Sequence, residues 1–180
     1  MLIEIKRDKK MAPESRRDLN GLFFCASALS KDKSDFRPHV TNLFIDDGVV
    51  YGTDGSRLHT YRPQMAVKDG WYRVFKAMKT HIIFFKIEDV PGDRKYPNID
   101  AIVNREMAAP DGDLNFVGGE FDHAVADIIR ALPDDSAVSI EFLKSLNGLF
   151  SFKIAEDGML FFDGIDVENK RAFIMPKMHN

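Results

Sequence analysis

Two Asp-Gly pairs set 110 residues apart, Asp47-Gly48 and Asp157-Gly158, constrain this chain more than any other feature. The central residues of a tight hairpin need positive φ, which Asp tolerates and Gly adopts freely. Asp-Gly between apolar stretches therefore marks a strand, a turn and a second strand. The first pair lies in Phe44-Ile45-Asp46-Asp47-Gly48-Val49-Val50-Tyr51 and the second in Ile154-Ala155-Glu156-Asp157-Gly158-Met159-Leu160-Phe161. Both read apolar, acidic, Asp-Gly, apolar. After the first, a further turn at Asp54-Gly55 delivers Arg57 and Leu58 onto the next strand.

A helix is expected ahead of each hairpin. Following a first strand in Met1 to Asp8, Pro13 suits a first helical turn and Ser15 a cap. Leu19, Leu22, Phe23, Ala26 and Leu29 then fall at helical spacing. Ser30 to Asp35 is a charged connection, and Phe36 to Tyr61 reads as two or three antiparallel strands. The second half repeats the order. Leu114 to Val117 is strand-like, and Phe121, Val125, Ile128, Ile129 and Leu132 trace a helix stopped by Pro133. Ser136 to Phe142 alternates, as do Phe150, Phe152 and Ile154, and Arg171 to Met178 forms the last strand. The expectation is one α+β domain over 1–180, built of two βαβββ units, 1–63 and 114–178, joined by 64–113. In that middle segment Trp71 to Glu88 is strand-like, and Ile82-Ile83-Phe84-Phe85 is apolar on both faces and so expected to be buried. Two Asp-Gly turns can coincide by chance; the helix before each favours duplication.

At 180 residues the chain can bury a sufficient core without disulfides or metal. Its single cysteine, Cys25, lies among Leu22, Phe23, Ala26 and Leu29, as a small packing residue would, and the cytoplasm is the natural compartment. No signal peptide and no membrane-length apolar run is visible. A net charge of −3 excludes a protein that coats nucleic acid with its whole surface, though not a local basic face. The abundance of phenylalanine, 15 residues, favours an aromatic sheet core. His39, His59, His81, His123 and His179 are scattered, and Asp46-Asp47, Asp111-Gly112-Asp113 and Asp134-Asp135 sit at turns. Neither a P-loop nor a Gly-x-Gly-x-x-Gly occurs. A binding protein without cofactor or metal is expected, not an enzyme.

Three segments resemble the bacterial sliding clamps, the β subunit of the replicative DNA polymerase. Thr53-Asp54-Gly55-Ser56-Arg57-Leu58 is similar to their Thr-Asp-Gly-His-Arg-Leu, with Ser56 where histidine is usual. Tyr96-Pro97-Asn98-Ile99-Asp100-Ala101-Ile102-Val103 is similar to their Phe-Pro-Asp-Tyr stretch. Ile174-Met175-Pro176-Lys177-Met178 resembles the Met-Pro-Met-Arg-Leu that ends them. The resemblance covers most of 13–63, then 96–103 and 114–178. It implies the clamp fold, in which two βαβββ units form a domain whose helices face DNA and whose sheets face outward. A clamp subunit has three such domains and this chain has room for one, so a ring would need six copies.

The resemblance also implies a peptide pocket for replication or repair proteins. Leu58, Pro97, Ile102, Ile174, Met175 and Met178 would form its floor, with Pro176 between them. Arg57 and Thr53 would form the rim, with Gly55 and Ser56 also counted among the peptide-binding residues. Methionine suits a surface that accepts several partners, because its thioether chain repacks cheaply. The alternative is that Ile174 and Met175 alternate on a terminal strand and pack inward. A second site is the basic cluster Lys6, Arg7, Lys9, Lys10, Arg16 and Arg17, which would meet duplex phosphates without reading bases, or else form a solvated face. Glu120, Asp122 and Asp127 outnumber Arg130 on the other helix, so a DNA grip would be one-sided. The rival is a clamp-fold module without DNA binding, self-associating or acting as a phage-type decoy.

Overall fold

The computed structural model describes residues 2–32, 34–35, 37–88, 102, 111–155, 157–165 and 169–178. They fall into two compact units, Met1–Ile99 and Asp100–Asn180.

The first unit runs β1 (Leu2–Lys6), α1 (Pro13–Ser27), α2 (Pro38–Thr41), β2 (Leu43–Asp46), β3 (Val49–Thr53), β4 (Arg57–Tyr61), β5 (Gly70–Met78) and β6 (His81–Ile87). Its strands are ordered β1-β6-β5-β2-β3-β4, each antiparallel to its neighbour. Asp47 (φ 45°) and Gly48 (φ 70°) make the β2–β3 turn with both central residues at positive φ, the chemistry that the Asp-Gly pair signals. Side chains alternate across the sheet. Ile3, Ile82, Phe84, Tyr72, Leu43, Ile45 and Val50 are buried on one face, which α1 covers with Leu19, Leu22, Phe24 and Cys25. The helix comes very close. A Cβ on Gly52 would overlap the carbonyl oxygen of Cys25, and one on Gly21 would overlap the Tyr61 ring.

The second unit runs β7 (Gly112–Asn115), a 3-10 turn (Gly118–Glu120), α3 (Phe121–Ala131), β8 (Ser136–Ala137), α4 (Ile140–Leu143), β9 (Leu149–Ile154), β10 (Leu160–Gly164), β11 (Lys170–Ile174) and β12 (Lys177–Met178). Four strands are ordered β11-β10-β9-β7, and β8 pairs with β12. Phe116, Phe150 and Phe162 meet edge to face at 5.8–6.3 Å, beside the buried Ala124, Val125 and Ile128 of α3. Antiparallel strands with segregated helices make this the α+β class expected.

The β5–β6 hairpin distinguishes the units. In the second, β7 pairs directly with β9, the strand after α4. In the first, β5 and β6 stand between β1 and β2, so the strand-like stretch Trp71 to Glu88 belongs to this sheet.

Several local expectations need correction. Ser15 is not the helix cap: Ala12 holds that position and makes no side-chain cap, with Pro13 in the first turn. The buried stripe of α1 includes Phe24 and Cys25, whereas Phe23 is only half-buried. Pro38 opens a helical turn where a strand was expected. The alternation from Ser136 to Phe142 ends at Ala137, because the residues that bury are Leu143 and Leu146, three apart on a helical turn. Ile129 is 57% exposed, outside the α3 stripe, and of the run expected to be buried only Ile82 and Phe84 are, because Ile83 and Phe85 point to the other face of the sheet.

Candidate functional site

The turn between β3 and β4 is closed by its own side chains. Asp54 Oδ1 accepts the N–H groups of Ser56 (3.0 Å) and Arg57 (3.1 Å), and the Gly55 N–H donates to Thr53 Oγ1 at 3.0 Å. The Thr53 hydroxyl donates in turn to the Arg57 carbonyl. Gly55 sits at φ 93°, a conformation that other residues adopt only under strain. Arg57 is 7% exposed. Its Nε pairs with Asp54 Oδ2 at 3.0 Å and its Nη2 donates to the Ser27 carbonyl at 2.9 Å, placing a cation on the last carbonyls of α1.

This geometry revises the expected rim. Adjacent strand residues point to opposite faces, so Arg57 turns toward α1 while Leu58 turns away from it. Thr53 lies opposite Leu58 in the ladder, but its hydroxyl is spent within the turn. Gly55 and Ser56 are the exposed members of this segment. Leu58 itself is buried.

In the second unit, Ile174 lies opposite Leu160 and is fully buried, whereas Met175 is 47% exposed. Pro176 is half-buried and packs on the β9–β10 turn, its Cγ 3.1 Å from where a Cβ on Gly158 would stand. Lys177 and Met178 pair through their backbones with Ala137 and Ser136. The backbone around Met175 is thus held on both sides while its side chain faces solvent. Pro97 lies outside the described residues, and Ile102 is half-buried in a helical conformation.

The cations Lys6, Arg7, Lys9, Lys10, Arg16 and Arg17 are all exposed, at the end of β1 and the start of α1. The Arg7 N–H donates to the Thr80 carbonyl (2.8 Å), and Asp8 Oδ1 accepts from the Lys10 N–H (3.1 Å). Beneath the loop lies a cleft of about 400 Å³ lined by Lys6, Asp8, Lys10, Met11, Ser15 and Asp18. On α3, Arg130 is paired with Asp127 at 2.7 Å, and among the described residues neither Asp122 nor Glu120, in the turn before the helix, has an ion-pair partner.

No family model matches the sequence and no curated protein resembles it. Solved structures do. The DNA polymerase III subunit beta of Borrelia burgdorferi, solved in complex with a natural product, matches 100% of this chain and 65% of its own at TM-score 0.56 and 10% identity. The sliding clamp of Bacillus subtilis matches 100% of this chain and 65% of its own (TM-score 0.51, 12% identity). The Pseudomonas aeruginosa clamp bound to griselimycin matches 99% and 66% (TM-score 0.51, 11% identity). The fold is that of the bacterial sliding clamps. At these identities the likeness is one of fold, and this chain spans about two thirds of the clamps it matches.

Within this clamp fold the most tightly held polar groups are ones that the sequence reading passed over. Asp18 is buried on α1. Its Oδ1 accepts from the Tyr61 hydroxyl (2.9 Å) and the Gln64 N–H (2.9 Å), and its Oδ2 from the Met65 N–H (2.9 Å). Burial, and then the bond to Asp18, pushes the Tyr61 hydroxyl well above the ordinary phenol range. His59 is fully buried, with Nδ1 2.8 Å from the Phe24 carbonyl and its ring stacked 4.0 Å from that of Phe24. These groups fasten the clamp-like turn to its helix. Among the described residues no three His, Cys, Asp or Glu side chains cluster as a metal site would, and no helix is long and apolar enough to cross a membrane.

Proposed function

We propose that this chain is a clamp-type accessory factor that acts by binding, and that it seats a short peptide segment of a replication or repair protein against Met175. The observation that carries the reading is an exposed methionine on a fixed backbone, in a chain that matches the clamp fold throughout. Two of the clamps named above are solved with compounds bound, a natural product and griselimycin, and ligand seating is carried over here as part of the proposal. A pocket of this kind tethers its partner and raises the partner's local concentration. Catalysis has no part in it.

The test is a fluorescence-anisotropy titration with a labelled clamp-binding peptide. Because Met175 is exposed, Met175→Asp should leave the fold intact. Burying a methionine is worth about 1.5–3 kcal/mol, so affinity should fall roughly ten- to hundredfold. Unchanged affinity with an unchanged thermal melt refutes the assignment.

Duplex DNA would be the second partner, met by the basic end at Lys6 to Arg17. The acidic α3 favours a second reading, in which the fold binds peptides and no DNA. Peptide binding that survives while duplex binding is undetectable in low salt would select it. Copies of the chain would have to associate for any ring, and its mass by light scattering decides that.

A further inference from the structure

The outward face of the inserted hairpin, the side of the sheet opposite α1, carries an uncommon mixture of groups. A register shift between Val74 and Lys76 forms a bulge that leaves Phe75 out of the β5–β6 ladder and 75% exposed. Beside it, Leu2, Phe85 and Arg73 are aligned across β1, β6 and β5, and all three are exposed. In the next rows Ile83 lies opposite Lys76, and His81 lies between Lys6 and Met78. Toward β2 the same face continues into Trp71 and Phe44, whose rings are 5.0 Å apart.

The outward side of these strands carries Lys6, Arg73 and Lys76, with Lys79 in the β5–β6 turn, against Glu4 alone, and Glu4 is held by His81 at 2.8 Å. In a chain of net charge −3 this is a local excess of positive charge. Exposed phenylalanines between cations are the combination that suits a flexible polyanion with flat apolar faces. Rings take the bases by stacking, and lysine and arginine follow the phosphates. A duplex hides its base faces and would leave Phe75 and Phe85 without partners. A second copy of the same face would bring like charges together.

We propose that the outward face of β1, β6 and β5 binds single-stranded nucleic acid, with Phe75 and Phe85 as stacking platforms and Arg73, Lys76 and Lys6 as phosphate contacts. The site is separate from Met175 and does not depend on the peptide reading. Strand neighbours about 4.8 Å apart, and same-face residues about 6.6 Å apart along a strand, give the rings a spacing that an extended nucleotide chain can follow.

The probe is a fluorescein-labelled oligothymidylate of about twenty nucleotides, titrated in low salt with the whole chain. Binding should raise its anisotropy and quench the fluorescence of Trp71, the one tryptophan in the chain. Phe75→Ala and Phe85→Ala should each weaken binding by about fivefold or more. Lys76→Ala should shrink the salt slope by about 0.7. The double variant Arg16→Ala with Arg17→Ala should bind the oligomer as the parent does, so failure of the duplex reading leaves this result standing. Phe75 is exposed enough that its removal spares the fold, and a thermal melt checks it. The proposal is overturned if no binding is seen in low salt, or if both phenylalanine variants bind like the parent. A Phe75-dependent dimer by light scattering also overturns it.

Discussion

Asp18 sits between Arg17 and Leu19 on α1, where its type suggests a solvated helix face. It instead collects three hydrogen bonds from the chain leaving β4, including that of the Tyr61 hydroxyl. Leaving one partner of a buried hydrogen bond unpaired costs about 1–3 kcal/mol, so Tyr61→Phe should cost about that much at neutral pH, measured by urea unfolding. The pH dependence has a definite sign. The folded protein holds Tyr61 as neutral phenol, with its pKa raised above the unfolded value of about 10. Its contribution is complete below about pH 10 and is lost as the pH rises further toward the folded value. Stability of the parent should therefore fall more steeply between about pH 9 and 11 than that of Tyr61→Phe. Tyr72, also raised by burial, supplies a common slope in both. Equal slopes would remove Tyr61 from the account. None of this was legible beforehand, because nothing in the residues near Asp18 says that Gln64 and Met65 pass beside it. Cys25 was legible: its apolar neighbours marked it as a packing residue, and it is fully buried with its thiol toward the Val50 carbonyl.

At the level of elements, turns spoke more clearly than helix ends. Asp47-Gly48 and Gly158 stand where hairpins were expected, because positive φ is a local demand that sequence states directly. Leu19, Leu22, Val125 and Ile128 lie on the helices that their spacing suggested. The two one-turn helices, α2 and α4, were hidden by alternating apolar residues that mimic strands at that length. The segments proposed for a peptide site divided similarly: Gly55 and the turn were readable, but the inward aim of Arg57 follows from its bond to Ser27 on α1, thirty positions away, which no local pattern carries. The start of α1 offers a test. Ala12 leaves the first helical N–H groups without a side-chain acceptor. Its extended backbone (φ −57°, ψ 147°) suits a capping residue, so Ala12→Ser should raise stability by about 0.5–1 kcal/mol in chemical denaturation. No gain would mean that those N–H groups are already satisfied by solvent.

Across the whole molecule, charge is unevenly spread. The basic end of the first unit contrasts with α3, where acids predominate, within a chain that is net acidic. If the basic end takes duplex DNA through about four phosphates, log affinity against log salt should have a slope near −3.6. Replacing Arg16 and Arg17 together by alanine should reduce its magnitude by about 1.8. A slope that does not move would place the contact elsewhere or remove it.

The hairpin set between β1 and β2 has a further consequence, for the order in which the protein can be built. Leu2 finds its ladder partner in Phe85, and Ile5 in Ile82. On a ribosome, the backbone edge of β1 must wait unpaired until some eighty more residues have been translated, since its ladder partner is the late hairpin.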